Sequence, residues 1–154
     1  MPVSEITLGI ESPLQTDVMR LIEALDVYQG GLYPPESNHF LDVAGLAAPS
    51  VRFFVARRDG QALGCAGLRI DPAGWGELKR MFVSPEARGL KLGRRLLDRI
   101  EAEARREGLG CVRLETGIHQ PEALGLYRSA GYVEREAFGD YDPDPLSVFM
   151  EKCL

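Results

Sequence analysis

The side chains best placed for chemistry lie between Glu77 and Gly93, in the run Glu-Leu-Lys-Arg-Met-Phe-Val-Ser-Pro-Glu-Ala-Arg-Gly-Leu-Lys-Leu-Gly. Arg88, Lys91, Arg94 and Arg95 gather where a long amphipathic pattern begins. A helix start exposes unpaired N–H groups and the positive end of the dipole, so it normally collects acids and repels cations. A bound phosphate resolves that conflict. The glycine-punctuated turn Arg88-Gly89-Leu90-Lys91-Leu92-Gly93 therefore reads as an anion cradle rather than a solvated basic helix end. Glu77 precedes it on the same strand, either as a base or as a strand glutamate paired with Lys79 or Arg80. His119, at a strand–helix junction, reads as an alternative base or a surface loop histidine, and His39 as structural or as part of a second substrate's pocket. Cys65, Cys111 and Cys153 are odd in number and widely spaced, which gives neither a metal motif nor a disulfide framework. Cys65 and Cys111 fall in strands and read as small core residues.

The elements that must position these groups follow from periodicity and punctuation. Glu5 to Ile10 alternates as a first strand. Val18, Leu21, Ile22 and Leu25 recur at helical spacing within Leu14 to Tyr28, with Thr16 or Asp17 as cap and Gly30-Gly31 as stop. A second, shorter helix is expected from His39 to Leu46. Val51 to Arg57 and Gln61 to Ile70 flank Asp59-Gly60, a hairpin signal, and Trp75 to Val83 completes a meander. A helix from Gly89 or Leu90 to Glu107 buries Gly93, Leu96, Leu97, Ile100 and Ala104 on one face. Then come a strand (Cys111 to Thr116), a helix opened by proline (Pro121 to Ala130), a strand from Tyr132, a loop (Asp140 to Pro145) and a last strand (Ser147 to Lys152). This order predicts an α/β (α+β) fold, one mixed sheet with helices on both faces. The passage from Trp75 to Thr116 should be a right-handed parallel crossover.

Composition narrows the function. A net charge of −5 disfavours a nucleic-acid partner held by phosphate neutralisation. No apolar run approaches the ~18–20 residues of a membrane span, and the N-terminus lacks a signal-peptide pattern. The expectation is one domain, residues 1–154, cytoplasmic, with reduced thiols and no metal.

Val83-Ser84-Pro85-Glu86-Ala87-Arg88-Gly89-Leu90-Lys91-Leu92-Gly93 resembles the acetyl-CoA motif of the GNAT superfamily of N-acetyltransferases, Arg/Gln-x-x-Gly-x-Gly/Ala. Gln120-Pro121-Glu122-Ala123-Leu124-Gly125-Leu126-Tyr127-Arg128-Ser129-Ala130-Gly131-Tyr132 resembles the family's Asn-x-x-Ala-x-x-Leu-Tyr-x-x-x-Gly-Phe segment. Two motifs in order, with the expected helix and strand between them, are far more specific than either alone. Glu115-Thr116-Gly117 with Gln120 to Ala123 is similar to a poorly characterised bacterial subgroup. Lys91 stands where a glycine is usual and Gln120 where asparagine is common. A lysine that keeps helical dihedrals still offers its N–H there and adds a charge.

The resemblance implies a splayed central strand pair and transfer of an acetyl group from acetyl-CoA to a primary amine of a small molecule or protein, by direct attack in a ternary complex. It implies that Arg88, Gly89, Leu90, Lys91, Leu92, Gly93 and Arg94 hold pyrophosphate, with Gln120 also on the cofactor side. The backbone of Met81, Phe82 and Val83 would hold pantetheine and polarise the thioester. Glu77 lies where some members carry a base, and Tyr127 aligns with the tyrosine that bonds or protonates the departing sulfur. A bulge in the strand would change which face Met81 presents relative to Glu77. Tyr33, Phe40 and the Phe138 to Pro145 loop are expected around the acceptor, with Arg80 as a candidate for an acceptor carboxylate. Many relatives are homodimers, though nothing here specifies an interface. The rival readings are a non-catalytic CoA-binding regulatory module and a dinucleotide fold, for which Gly-x-Gly-x-x-Gly is lacking.

Overall fold

A computed structural model describes residues 5–35 and 42–154. Seven strands, β1 (Thr7–Ile10), β2 (Val51–Arg58), β3 (Gln61–Ile70), β4 (Gly76–Val83), β5 (Cys111–Gly117), β6 (Val133–Arg135) and β7 (Ser147–Cys153), form one sheet in the order β1-β2-β3-β4-β5-β7-β6. Every neighbouring pair is antiparallel except β4 and β5. The helices are α1 (Thr16–Leu32), α2 (Val43–Leu46), α3 (Leu92–Arg106) and α4 (Pro121–Ser129), with a 3-10 turn at Pro85–Ala87.

The hairpin between β2 and β3 turns on Asp59 and Gly60, both at positive φ (51° and 79°), the two-residue geometry that matches strand twist. Leu92, Leu96, Leu97, Ile100 and Ala104 of α3 pack with Leu124 and Tyr127 of α4 on one face of the sheet, over Phe54, Ala66, Leu68 and Leu78. On the other face Val18, Leu21 and Ile22 of α1, with Leu46 of α2, cover Phe53, Val55 and Cys65. A small aromatic cluster of Trp75, Phe138 and Phe149, with Tyr141 against it, ties the loop before β7 to the start of β4.

Three element boundaries differ from expectation. α1 runs through Gly30-Gly31 and stops at Tyr33, whose buried ring anchors the helix end. That tertiary anchor outweighs a glycine cost of roughly 1 kcal/mol per residue. α3 begins at Leu92, because Lys91 is left-handed (φ 55°, ψ 31°) and so cannot continue a right-handed helix backwards. α2 spans Val43–Leu46, capped by the Asp42 carboxylate accepting from the Gly45 N–H at 2.7 Å. The predicted start of that helix at His39, and Phe40, lie outside the described residues.

Candidate active site

The site is made by a failure of pairing. β4 and β5 are joined only at Gly76↔Val112 and Glu77↔Arg113, after which the strands part. The expected splay is present, and one edge of β4 beyond Glu77 is left without a β5 partner. Against β3, Lys79 opposes Gly67 while Phe82 opposes Cys65, so β4 carries one extra residue there. This is a β-bulge, and Arg80 sits in it with φ 53°. The bulge resets the alternation: Met81 and Val83 pack toward α3, Phe82 toward α1.

A cleft of about 130 Å³ opens where the strands diverge. Its floor is Glu77 to Met81 of β4 and Leu114 to Gly117 of β5. Leu25, Gln29 and Tyr33 of α1 wall one side, Gln120, Ala123, Leu126 and Tyr127 the other, and Tyr141 closes an end. The structure thus brings together Glu77, Met81, Gln120 and Tyr127 from the sequence reading. It does not bring in His119, which is exposed and does not line the cleft.

Two carboxylates face this space with opposite circumstances. Glu77 is 2% exposed and fully engaged. One oxygen takes Arg69 at 3.2 Å, and the other takes Lys79 at 2.9 Å and the Tyr141 hydroxyl. Its partners are therefore Lys79 and Arg69, while Arg80 turns to Asp26 of α1 at 3.0 Å. Glu115 has no ion pair among the described residues. Burial pushes its carboxyl up to about 7; the Ser147 hydroxyl and the Lys79 charge oppose that rise, and the Glu77 and Asp144 charges add to it. Sequence reading named Glu115 within a segment similar to a bacterial subgroup and gave it no catalytic role. The available signal was alternation: Val112 and Leu114 go to the core, so Arg113 and Glu115 share the opposite face, at the end where β5 leaves β4. Tyr127 is 6% exposed, and its phenol is raised above its usual value by burial and then by the Glu115 charge, so it stays protonated.

Tyr33 organises the junction of β5 and α4. Its hydroxyl accepts from the His119 backbone N–H at 3.0 Å and donates to the side-chain amide oxygen (Oε1) of Gln120 at 3.3 Å, and its ring stacks on His119 at 5.5 Å. The hydroxyl occupies the space a side chain at 117 would need: a Cβ on Gly117 would fall 1.7 Å from it. Only glycine permits this approach.

The N-terminus of α3 is as basic as expected and bare. No side chain caps its first turn and no acid lies in it. Arg94 pairs with Asp98 and Arg95 donates to the Ile6 carbonyl. Arg88 and Lys91 are exposed and have no ion pair among the described residues. Gly89 (φ 84°) and left-handed Lys91 shape the turn, and Gly93 lets α4 approach, since a Cβ there would sit 3.2 Å from Leu126. Uncapped N–H groups, a positive dipole end and two unpaired cations fit a diphosphate. The unpaired edge of β4 offers backbone groups to an extended pantetheine arm. Among the described residues no group of three or more His, Cys, Asp or Glu could hold a metal, and no helix is long and apolar enough to cross a membrane.

Comparison with known proteins agrees with this arrangement. The acetyltransferase (GNAT) family model matches residues 18–132. An IAA acetyltransferase of Azospirillum brasilense is 57% identical over 97% of this chain and 98% of its own. The uncharacterized N-acetyltransferase YedL of Escherichia coli is 34% identical over 79% of this chain and 77% of its own. A solved Klebsiella pneumoniae chain of the acyl-CoA N-acyltransferase class is 40% identical, with a TM-score of 0.83 and 97% of both chains covered. The PaiA N-acetyltransferase of Thermoplasma acidophilum, solved in complex with coenzyme A, shares the fold at 20% identity and a TM-score of 0.73, over 97% of this chain and 99% of its own. With the splayed strands, the bare basic helix start and Tyr127 at the cleft, the chain belongs to the GNAT family of acetyltransferases.

Proposed function

We propose that this acetyltransferase moves the acetyl group of acetyl-CoA to the primary amine of a small molecule or protein, by direct attack in a ternary complex, with Glu115 as base and Tyr127 as acid. The observation that carries it is the meeting of those two side chains in one cleft at the parting of β4 and β5. Acetyl-CoA supplies the activated acyl carbon. Arg88 to Gly93 and Arg94 hold its diphosphate, the backbone of Met81 to Val83 holds the pantetheine arm and polarises the thioester carbonyl, and Gln120 borders it from α4.

Glu115 takes a proton from the acceptor ammonium. The freed amine nitrogen bonds to the acyl carbon, the C–S bond breaks, the Tyr127 hydroxyl proton goes to sulfur, and the second proton shed by the nitrogen as the amide forms returns to the Tyr127 oxygen. A base whose pKa lies near neutrality serves this better than one tied by two cations, which is why Glu115 replaces the sequence-based candidate Glu77. Glu77 instead holds Lys79 and Tyr141 in place at the acceptor side. The cleft volume suits a small amine, or the tip of a lysine side chain.

Tyr127→Phe tests the assignment. Turnover, followed as thiol release from acetyl-CoA across an amine panel, should fall by ~10²-fold or more, with acetyl-CoA affinity changed less than about twofold. Unchanged turnover would remove Tyr127 from the acid role. Wild-type protein that binds acetyl-CoA but releases no thiol with any amine would favour a binding module.

A further inference from the structure

The register of β5 against β7 sets Cys111 directly opposite Cys153. The flanking hydrogen bonds show which kind of pair this is. Leu154 N–H donates to the Gly110 carbonyl at 3.0 Å, and beyond the other end Ile118 N–H donates to the Leu146 carbonyl at 3.1 Å. Gly110 with Leu154, and Ile118 with Leu146, are therefore hydrogen-bonded positions. By alternation, Cys111 with Cys153 is a non-hydrogen-bonded one. Such a pair brings its Cα atoms to about 4.5 Å with both side chains on one face. That is within the ~4.4–6.8 Å a disulfide spans. We propose that Cys111 and Cys153 are a peroxide-responsive thiol pair, closing reversibly into a cross-strand disulfide that staples β5 to β7.

The surroundings set the order of events. Cys153 is exposed, whereas Cys111 is half-buried and its thiol donates to a Glu151 carboxylate oxygen at 3.3 Å. Burial and that hydrogen bond hold the Cys111 thiol above its ordinary pKa, so Cys153 reacts first. Its thiolate sulfur attacks the peroxide O–O bond, and the departing hydroxide takes up the proton released when the thiol ionised, leaving a sulfenic acid and one water. The Cys111 sulfur then bonds to the Cys153 sulfur, the S–O bond breaks, and the Cys111 proton leaves with the hydroxyl as a second water. Two thiols are oxidised and one peroxide is reduced.

Glu151 loses one donor but keeps Arg113 at 2.7 Å and Arg135 at 2.9 Å. The third thiol, Cys65, is fully buried with its pKa pushed up to about 12, and it takes no part. The staple lies at the opposite end of the strand pair from Gly117↔Ser147, so it leaves the cleft open. It fastens the strand that carries Glu115 to the strand that carries Ser147.

Treating the full chain with hydrogen peroxide, then counting thiols after unfolding, tests this. The titre should fall from three to one, and non-reducing peptide mapping should find Cys111 joined to Cys153 with the loss of two hydrogens. The protein should stay a monomer-sized species on a denaturing non-reducing gel, and dithiothreitol should restore all three thiols. Cys153→Ser should keep both remaining thiols reduced under the same dose. A titre that stays at three, a Cys153 that ends as sulfinic acid, or a cross-link between two chains would each overturn the proposal.

Discussion

Glu115→Gln separates two consequences of one buried carboxyl. The ordinary value of 4.5 rises to about 7 in the folded protein, with burial the first cause. At ~1.36 kcal/mol per unit, keeping Glu115 ionised in the fold costs about 3 kcal/mol. The sign follows from proton counts. Below pH 4.5 both states hold the proton and nothing is lost. Between 4.5 and about 7 the folded state holds a proton the unfolded state has released, so stability falls as pH rises. Above about 7 the loss is complete. Glutamine keeps the shape and the partner at Ser147 without the charge, so the variant should melt higher than wild type at pH 8, by on the order of 5–10 °C. At pH 5 the gap should shrink to under about 1 kcal/mol. Turnover should move the other way, dropping by ~10²–10⁴-fold, and the limb of the kcat/KM profile near pH 7 should vanish. Melts at the two pH values together with a steady-state thiol-release profile make the measurement. A variant that keeps both its turnover and the neutral limb, or whose melting gain is equal at pH 5 and pH 8, refutes the base assignment.

Two further substitutions probe the frame around the cleft. Lys91→Gly relieves a left-handed lysine (φ 55°) and should raise stability by about 1 kcal/mol while acetyl-CoA binding weakens only modestly, since the turn's backbone N–H groups and Arg88 remain; calorimetric titration showing a collapse of binding would make the lysine side chain a principal ligand. Gly117→Ala forces a Cβ onto the Tyr33 hydroxyl and should cost about 1–3 kcal/mol in a denaturant melt, with a raised KM for the amine and little change in acetyl-CoA affinity, since Tyr33 walls the cleft from α1.

The strand–helix grammar was legible because it is local. Asp59-Gly60 set its hairpin, and the Leu96, Leu97, Ile100 and Ala104 spacing marked the buried face of α3. The basic turn and Tyr127 were legible through motif. What escaped was set by contacts distant in sequence. Glycines predicted to end α1 did not, because Tyr33 is held from beyond β5. Lys91 was expected to keep helical dihedrals, yet the turn demands a left-handed residue whichever side chain occupies it. Glu77 and Glu115 differ in no local property. Only the fold, by bringing Arg69, Lys79 and Tyr141 to one and leaving the other with Ser147, engages the first in ion pairs and pushes the second carboxyl up by burial. The opposition of Cys111 to Cys153 likewise depends on a strand pairing that no cysteine spacing announces.

The sheet is continuous in name, but its ladder joins strands β1–β4 to β5–β7–β6 at two residue pairs. Beyond that ladder the halves are joined by side chains: α3 packs under both, and the Trp75–Phe138–Phe149 cluster with Tyr141 bridges β4 to the loop before β7. A cosubstrate bound along the open edge, as proposed above, would clasp this seam. By mass action, saturation at 100 times the dissociation constant adds about 2.7 kcal/mol to the folded state. If the cosubstrate binds there, persistence of the chain would be coupled to the supply of acyl-CoA. Starvation for the donor would show first as faster proteolytic turnover, before any change in the rate of the remaining enzyme.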